Sequence, residues 1–277
     1  MNNKWKYYNN ALIPAGAPHD SLDEESLKNN PLWKNKKTLF ARWTTDFDCG
    51  YETPWWFCIK DEPFDIDKVN AKKRYEINKG KKNFEIRLIE FSKYIDEMYE
   101  VYISGSKEET LDIGDRNREG FIREIDGELK YGLTMFGAFH RESGKLCGYA
   151  YARKRYGYIN YMTHKVDPAY EKIAVNAALV EGVLSYFADD IKNGIYLCDG
   201  ERSVYHETRF QDYLERYFEF RKAYCRLNLK YKPLLGLIVK MIYPYRKIIG
   251  KVSFMKKVFA VLKMHDYFKK SNEKGIY

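Results

Sequence analysis

The apolar positions along this 277-residue chain change their period twice. Up to residue 82, short aromatic stretches between turn-forming residues predict strands, one in TLFARWTTDF (38–47) and one in PWWFCIK (54–60). AGAPHD and ETP supply the turns. DIDKVNAKKRYEINKG (65–80) then predicts a helix. Asp65 or Asp67 would cap it, Val69, Tyr75 and Ile77 would provide apolar contacts, and Gly80 would end it.

From 83 to 225 strands and helices alternate. NFEIRLI (83–89) has the two-residue period of a strand, and FSKYIDEMYEVYISG (91–105) reads as an amphipathic helix. A further helix around REGFIREIDG closes at Gly127. Residues 133–166 then read as an antiparallel meander, with turns at Glu142-Ser143-Gly144 and Tyr156-Gly157. After Asp167-Pro168, one long helix over 175–194 has Ala177, Leu179, Val180, Val183, Leu184 and Phe187 on its apolar side. A strand (195–200), a helix (207–218) and a strand (219–231) follow. Beyond 226, Pro244 divides two helical stretches. In the second, Ile248, Val252, Met255, Phe259 and Leu262 share a face. The expected division is therefore 1–82, an extension with aromatic strands and a basic helix; 83–225, a mixed α/β (α+β) domain; and 226–277, a basic helical tail.

At 45% hydrophobic and 17% aromatic residues, the chain can bury a core, and intrinsic disorder is excluded. Five cysteines, odd in number and scattered, lack zinc-ligand spacing. They read as free thiols, with no metal expected. The first residues lack the apolar core of a leader, and PLLGLIV (233–239) is too short to span a bilayer. These features point to a cytoplasmic protein. The net charge of +9 is uneven: residues 226–277 hold thirteen Lys and Arg against Asp266 and Glu273. The rest of the chain holds 35 basic and 37 acidic residues. The tail could thus sit on an anionic inner membrane face, bind tRNA phosphates, meet a protein partner, or pack on its own domain.

The element order after residue 83 resembles the GNAT acyltransferases, and Val166-Asp167-Pro168-Ala169-Tyr170 is similar to the V-x-P-x-Y that opens that family's pyrophosphate loop. Ala174 and Asn176 stand at the loop's glycine positions. The segment 214–221 resembles the later L-Y-x-K-x-G-F signature, with Glu219 in the glycine's place. Lys72-Lys73-Arg74-Tyr75-Glu76-Ile77-Asn78-Lys79-Gly80 is similar to the basic helix that opens the second unit of FemAB-like proteins. The chain also resembles bacterial proteins of surface-polysaccharide biosynthesis. The resemblance implies a GNAT-like, mostly antiparallel sheet flanked by helices. It also implies transfer from acyl-CoA (or acyl carrier protein) to an amino or hydroxyl group of a glycan or lipid-linked sugar precursor. An aminoacyl-tRNA donor is the alternative, and a catalytically silent glycan- or membrane-binding module is a third reading. The donor would lie on the amides of Val166, Lys172, Ile173, Ala174, Val175 and Asn176 at a helix N-terminus.

Acyl transfer needs a base, a polarised carbonyl and a proton for the leaving group. His206 is the candidate base, with a helix cap as its other reading. Asp199 would orient it or bind the acceptor, or else only form the turn with Gly200, and Tyr213 or Tyr224 would supply the proton. His164 is an alternative base, or a buried strand histidine. Trp55, Trp56, Arg74, Arg202 and Gln211 are candidates for the acceptor pocket, because aromatic faces stack on sugars and Arg holds phosphate. The Trp pair could equally be core.

Overall fold

The computed structural model describes residues 4–106, 117–204, 209–250 and 255–273. The chain divides into two compact units. One comprises Met1–Cys58, Glu201–Asp212 and Arg221–Tyr277, the other Ile59–Gly200 and Tyr213–Phe220.

The first unit opens with a hairpin of β1 (Trp5–Tyr8) and β2 (Ala11–Pro14). Its two-residue turn places Asn9 and Asn10 at φ 47° and 63°, a left-handed pair that asparagine tolerates. Two short helices follow: α1 (Glu24–Lys28), capped by Asp23, and α2 (Pro31–Lys34), capped by Asn30. β3 (Phe40–Thr45) pairs parallel to β2, and β4 (Trp55–Lys60) begins in this unit.

The second unit starts with α3 (Ala71–Asn83), which runs directly into β5 (Phe84–Leu88). α4 (Ile95–Ser106) and α5 (Arg118–Leu129) precede a meander of β6 (Thr134–His140), β7 (Leu146–Arg155) and β8 (Tyr158–Val166). β5 to β8 pair antiparallel in sequence order. Gly144 and Gly157, at φ 70° and 78°, make the hairpin turns. Next come α6 (Val175–Tyr186), α7 (Ala188–Lys192), β9 (Tyr196–Glu201), which pairs parallel to β8, and α8 (Arg209–Phe218), of which Arg209–Asp212 belong to the first unit and the rest to this one. Strand alternation sorts the two faces. Tyr149 and Tyr151 join Phe121, Ile125, Met98 and Val101 in the core under α4 and α5. On the other face Gly148 leaves room for its neighbour on β8, because a Cβ there would lie 3.0 Å from Val166 Cγ1.

The chain then re-enters the first unit as β10 (Arg221–Tyr231), antiparallel to β3. α9 (Pro233–Ile242), α10 (Arg246–Ile249) and α11 (Lys256–Glu273) complete it. Trp5, Leu12, Leu27, Ala41 and Trp43 form one cluster. Phe40, Trp55, Leu227 and Leu229 form another with Met264 and Tyr267 of α11.

Four readings of the pattern are corrected. α3 is capped by the Asn70 side chain, which accepts from the Lys73 N–H, while Asp65 accepts from the Asp67 N–H in the turn before it. Gly80 does not end the helix. It lies inside α3 because a Cβ would sit 2.6 Å from the Ala174 carbonyl oxygen and 2.8 Å from the Ala178 nitrogen. The long helix of 175–194 breaks at Phe187, which departs from helical geometry (φ −96°, ψ 13°) and is packed in the core. In the tail, the stripe running through Ile248 to Leu262 is divided. Ile248 lies in α10 and is exposed, α11 starts at Lys256 with Leu262 buried, and Val252 falls outside the described residues.

Candidate active site

In the second unit β8 and β9 pair at only three positions, Tyr158–Tyr196, Ile159–Leu197 and Asn160–Cys198. β8 runs on to Val166, and the second unit's part of β9 runs on to Gly200. The strands part beyond Asn160 and Cys198, where the ladder between them ends. At that point β8 also bulges. Tyr151 is opposite Thr163 and Ala152 is opposite Tyr161, so Met162 is the inserted residue. In a regular strand, positions 161 and 164 would face opposite ways. The bulge brings both to one side, and the Tyr161 hydroxyl and His164 Nδ1 lie 2.6 Å apart.

From there a polar chain leads to α6. His164 Nε2 lies 2.8 Å from Asn176 Oδ1, and Asn176 Nδ2 donates to Glu171 Oε1 at 3.4 Å. The His164 ring keeps a little solvent access, yet protein surrounds its nitrogens. Burial, aided by the Lys165 charge and opposed by Asn176, lowers its pKa to about 4. At pH 7 the ring is thus neutral, with a single N–H. Asn176 Oδ1 can only accept, which assigns that N–H to Nε2 and leaves Nδ1 to accept from Tyr161. Burial, with the charges of Asp199 and Tyr213, holds the Tyr161 phenol well above its usual range. Burial likewise raises Tyr213, with smaller effects from Glu76 and Tyr217. These phenols keep their protons at neutral pH, which suits proton donors and not bases.

The loop joining β8 to α6 is built for a close backbone approach. Asp167 accepts from the Ala169 N–H and starts a 3-10 turn over Pro168–Ile173. Ala174 ends that turn in the left-handed conformation (φ 68°, ψ 38°) and starts α6. Glycine normally holds this conformation, so Ala174 preserves the backbone shape of a glycine loop at a small steric cost. The first-turn amides of α6, at Val175, Asn176 and Ala177, have no carbonyl one turn back within the helix. α3 braces the loop: Lys79 Nζ donates to the Lys172 carbonyl at 2.6 Å and Asn83 Nδ2 to the Ile173 carbonyl at 3.3 Å. Val166 closes β8 as a buried residue.

Asp199, Tyr213, Val166 and the 172–176 loop thus share the second unit with Tyr161 and His164, and Asp199 and Tyr213 act electrostatically on Tyr161. Tyr161 carried no signal in the sequence, because only the bulge at Met162 turns it towards His164. His206 lies outside the described residues. Arg74 is also in the second unit, where Nη2 donates to the carbonyls of Asp67 (2.6 Å) and Val69 (3.2 Å) and ties down the turn before α3. A cavity of about 330 Å³ in this unit is lined by Arg87, Glu181 and Tyr186 among others, and its lining includes none of the polar chain.

The remaining candidates belong to the first unit. Trp55 is core, 1% exposed. Gln211 is buried, and Nε2 donates to the Glu201 carbonyl at 3.4 Å. Trp56, Arg202 and Tyr224 come together with Lys222, Tyr267 and Lys270 around a cavity of about 600 Å³. The Arg202 guanidinium lies 4.2 Å from the Trp56 ring centre and 4.3 Å from that of Tyr267, and Lys222 lies 4.9 Å from Trp56. Arg202 Nη1 donates to the Pro54 carbonyl at 2.8 Å. Among the described residues, no His, Cys, Asp and Glu side chains cluster so as to hold a metal.

The order of elements, the parting of β8 from β9 and the loop into α6 define a GNAT-like fold: a mixed, mostly antiparallel sheet flanked by helices. The chain is similar in structure to the C-terminal DUF2156 domain of a putative lysylphosphatidylglycerol synthetase from Agrobacterium fabrum, at 9% identity over 86% of this chain and 82% of that one, with a TM-score of 0.52. It is also similar to L-PGS from Bacillus licheniformis (14% identity, 90% of this chain and 85% of that one, TM-score 0.49). A tandem GNAT protein of the clavulanic acid biosynthesis pathway matches at 12% identity over 74% of this chain and 66% of that one, with a TM-score of 0.41. No family model and no curated protein matches the sequence.

Proposed function

We propose that the chain is an acyl- or aminoacyl-transferase whose second unit binds an activated acyl donor at the N-terminus of α6 and reacts it where β8 and β9 part. The observation that carries this reading is the end of β8–β9 pairing after Asn160 and Cys198, beside a helix N-terminus. Backbone near Val166 would polarise a donor carbonyl there, and the amides of α6 would hold the donor's phosphates. Tyr161, hydrogen-bonded to a neutral His164, would give its proton to the departing thiolate or alkoxide, and the proton lost by the attacking amine or hydroxyl would restore the phenol. The left-handed backbone at Ala174 supports acyl-CoA as the donor. The acceptor in this proposal is an amino or hydroxyl group on a cell-envelope glycan precursor. The first unit's cavity, with Trp56, Arg202, Lys222 and Tyr224, is proposed as a ligand site for a sugar carrying negative charge.

An aminoacyl-tRNA donor, as in a FemAB-like enzyme, is the second reading. The basic helix α3, with Lys72, Lys81 and Lys82 exposed, favours it. Thermal-shift titration with coenzyme A, acyl-CoAs of increasing length and aminoacyl-tRNA separates the two, because a ligand that binds only the native state raises Tm. Stabilisation by acyl-CoA is expected, and Tyr161→Phe should retain it while lowering kcat about a hundredfold or more. Silence with every donor would sink the transferase reading.

A further inference from the structure

The first unit exposes an apolar surface that its own core does not use. α9 docks inward through Val239, which is buried, and Leu235, which packs on the Trp55–Leu227 cluster. Its other side carries Leu234 (73% exposed), Leu237 (57%), Ile238 and Met241 (64%), at the i, i+3, i+4 and i+7 positions of one helical face. Tyr245 and Ile248, also exposed, extend the patch into α10. Single exposed apolar side chains are ordinary, but six within residues 234–248 mark a binding surface.

The charge around this patch identifies its occupant. Between Glu219 and Asp266 the sequence contains no acidic residue. Lys240, on the flank of α9 beside the stripe, and Lys247, next to Ile248 in α10, are exposed and make no ion pair with any described residue. Asp266 of α11 lies beside α10 but is paired with Arg246 and Lys270, so the exposed charges next to the patch are those of Lys240 and Lys247. Exposed cations around an apolar centre suit phosphate headgroups over acyl chains, whereas an interface with another protein would ordinarily mix signs at its rim. The ten residues of α9 extend about 15 Å, enough to lie in a bilayer surface. Among the described residues no helix is long and apolar enough to cross one.

We propose that the outer face of α9, continued by Tyr245 and Ile248, seats the first unit on an anionic lipid bilayer. Leu234, Leu237 and Met241 would enter the acyl boundary, with Lys240 and Lys247 on lipid phosphates. This inference is independent of the transferase reading and would survive its failure.

The test is flotation of the full chain with vesicles of mixed phosphatidylglycerol and phosphatidylcholine, against phosphatidylcholine alone. Binding to the mixed vesicles, weakened by high salt, is expected. Leu237→Ser and Met241→Ser should each lower partitioning about tenfold. Lys240→Gln and Lys247→Gln should each lower it about fivefold, on anionic vesicles only. These side chains are exposed, so an unchanged thermal melt should accompany every variant. Failure to float with anionic vesicles would overturn the proposal, as would flotation indifferent to the two serine variants. Sedimentation equilibrium supplies the remaining arm: a dimer abolished by the serine variants would assign the face to a second copy of the chain.

Discussion

His164 sits in protein that lowers its pKa to about 4, and this links one residue to the pH dependence of the whole chain. The unfolded histidine binds a proton near pH 6.5, but the folded one resists until about pH 4. Between those values the unfolded state holds more protons, so stability falls as the pH drops. The contribution is fully present above about pH 6.5, and about 3 kcal/mol is lost by pH 4. Urea denaturation at pH 7 and pH 4.5 should show this slope in the wild type, and His164→Gln should flatten it. Two other residues show how a motif can persist without its usual side chain. Ala174 and Glu219 stand where GNAT-type signatures carry glycine, and both hold the left-handed backbone, at φ 68° and 58°. Phe220 N–H reaches back to the Leu214 carbonyl at 3.4 Å past Glu219, closing α8 as a glycine would allow.

At the level of elements, the packing of α3 on α6 decides what Gly80 is for. Propensity alone favours alanine by about 1 kcal/mol at a mid-helix glycine. The added methyl would meet two backbone atoms of α6 at 2.6 and 2.8 Å, which neither helix can yield without moving. The clash should win: Gly80→Ala is expected to cost about 1–3 kcal/mol, read from the urea midpoint. An increase in stability would mean that the two helices can separate freely. The strands β3, β4, β5 and the β6–β8 meander were legible because alternation and turn glycines are local properties. The β1–β2 hairpin went unread, although Asn9-Asn10 is a turn signal. The end of α3 was misread because a glycine that relieves a tertiary contact looks, in one dimension, like a helix stop.

For the molecule as a whole, the tail is part of the fold. Met264 and Tyr267 of α11 are packed against Phe40, Trp55, Leu227 and Leu229. Deleting residues 233–277 would uncover that cluster, and the truncated chain is expected to lose near-UV circular dichroism and cooperative melting of the first unit. A truncation that melts like the full chain would show that α11 adds no stability. The division into units also follows no simple cut, since β10 returns to the first unit after the second has formed.

The sequence by itself determined the second unit's element order, the loop motif at Val166–Asp167–Pro168, and the concentration of positive charge after residue 226. Each rests on period, turn chemistry or composition, which short-range physics controls. Tertiary structure alone decided that Tyr161 meets His164, that Trp56 and not Trp55 lines a cavity, and that α9 shows its apolar face while α11 buries its own. Those outcomes depend on a bulge, on strand partners far apart in sequence, and on which of two apolar helices reaches the core. A hydrophobic pattern records that a face is apolar but not what covers it.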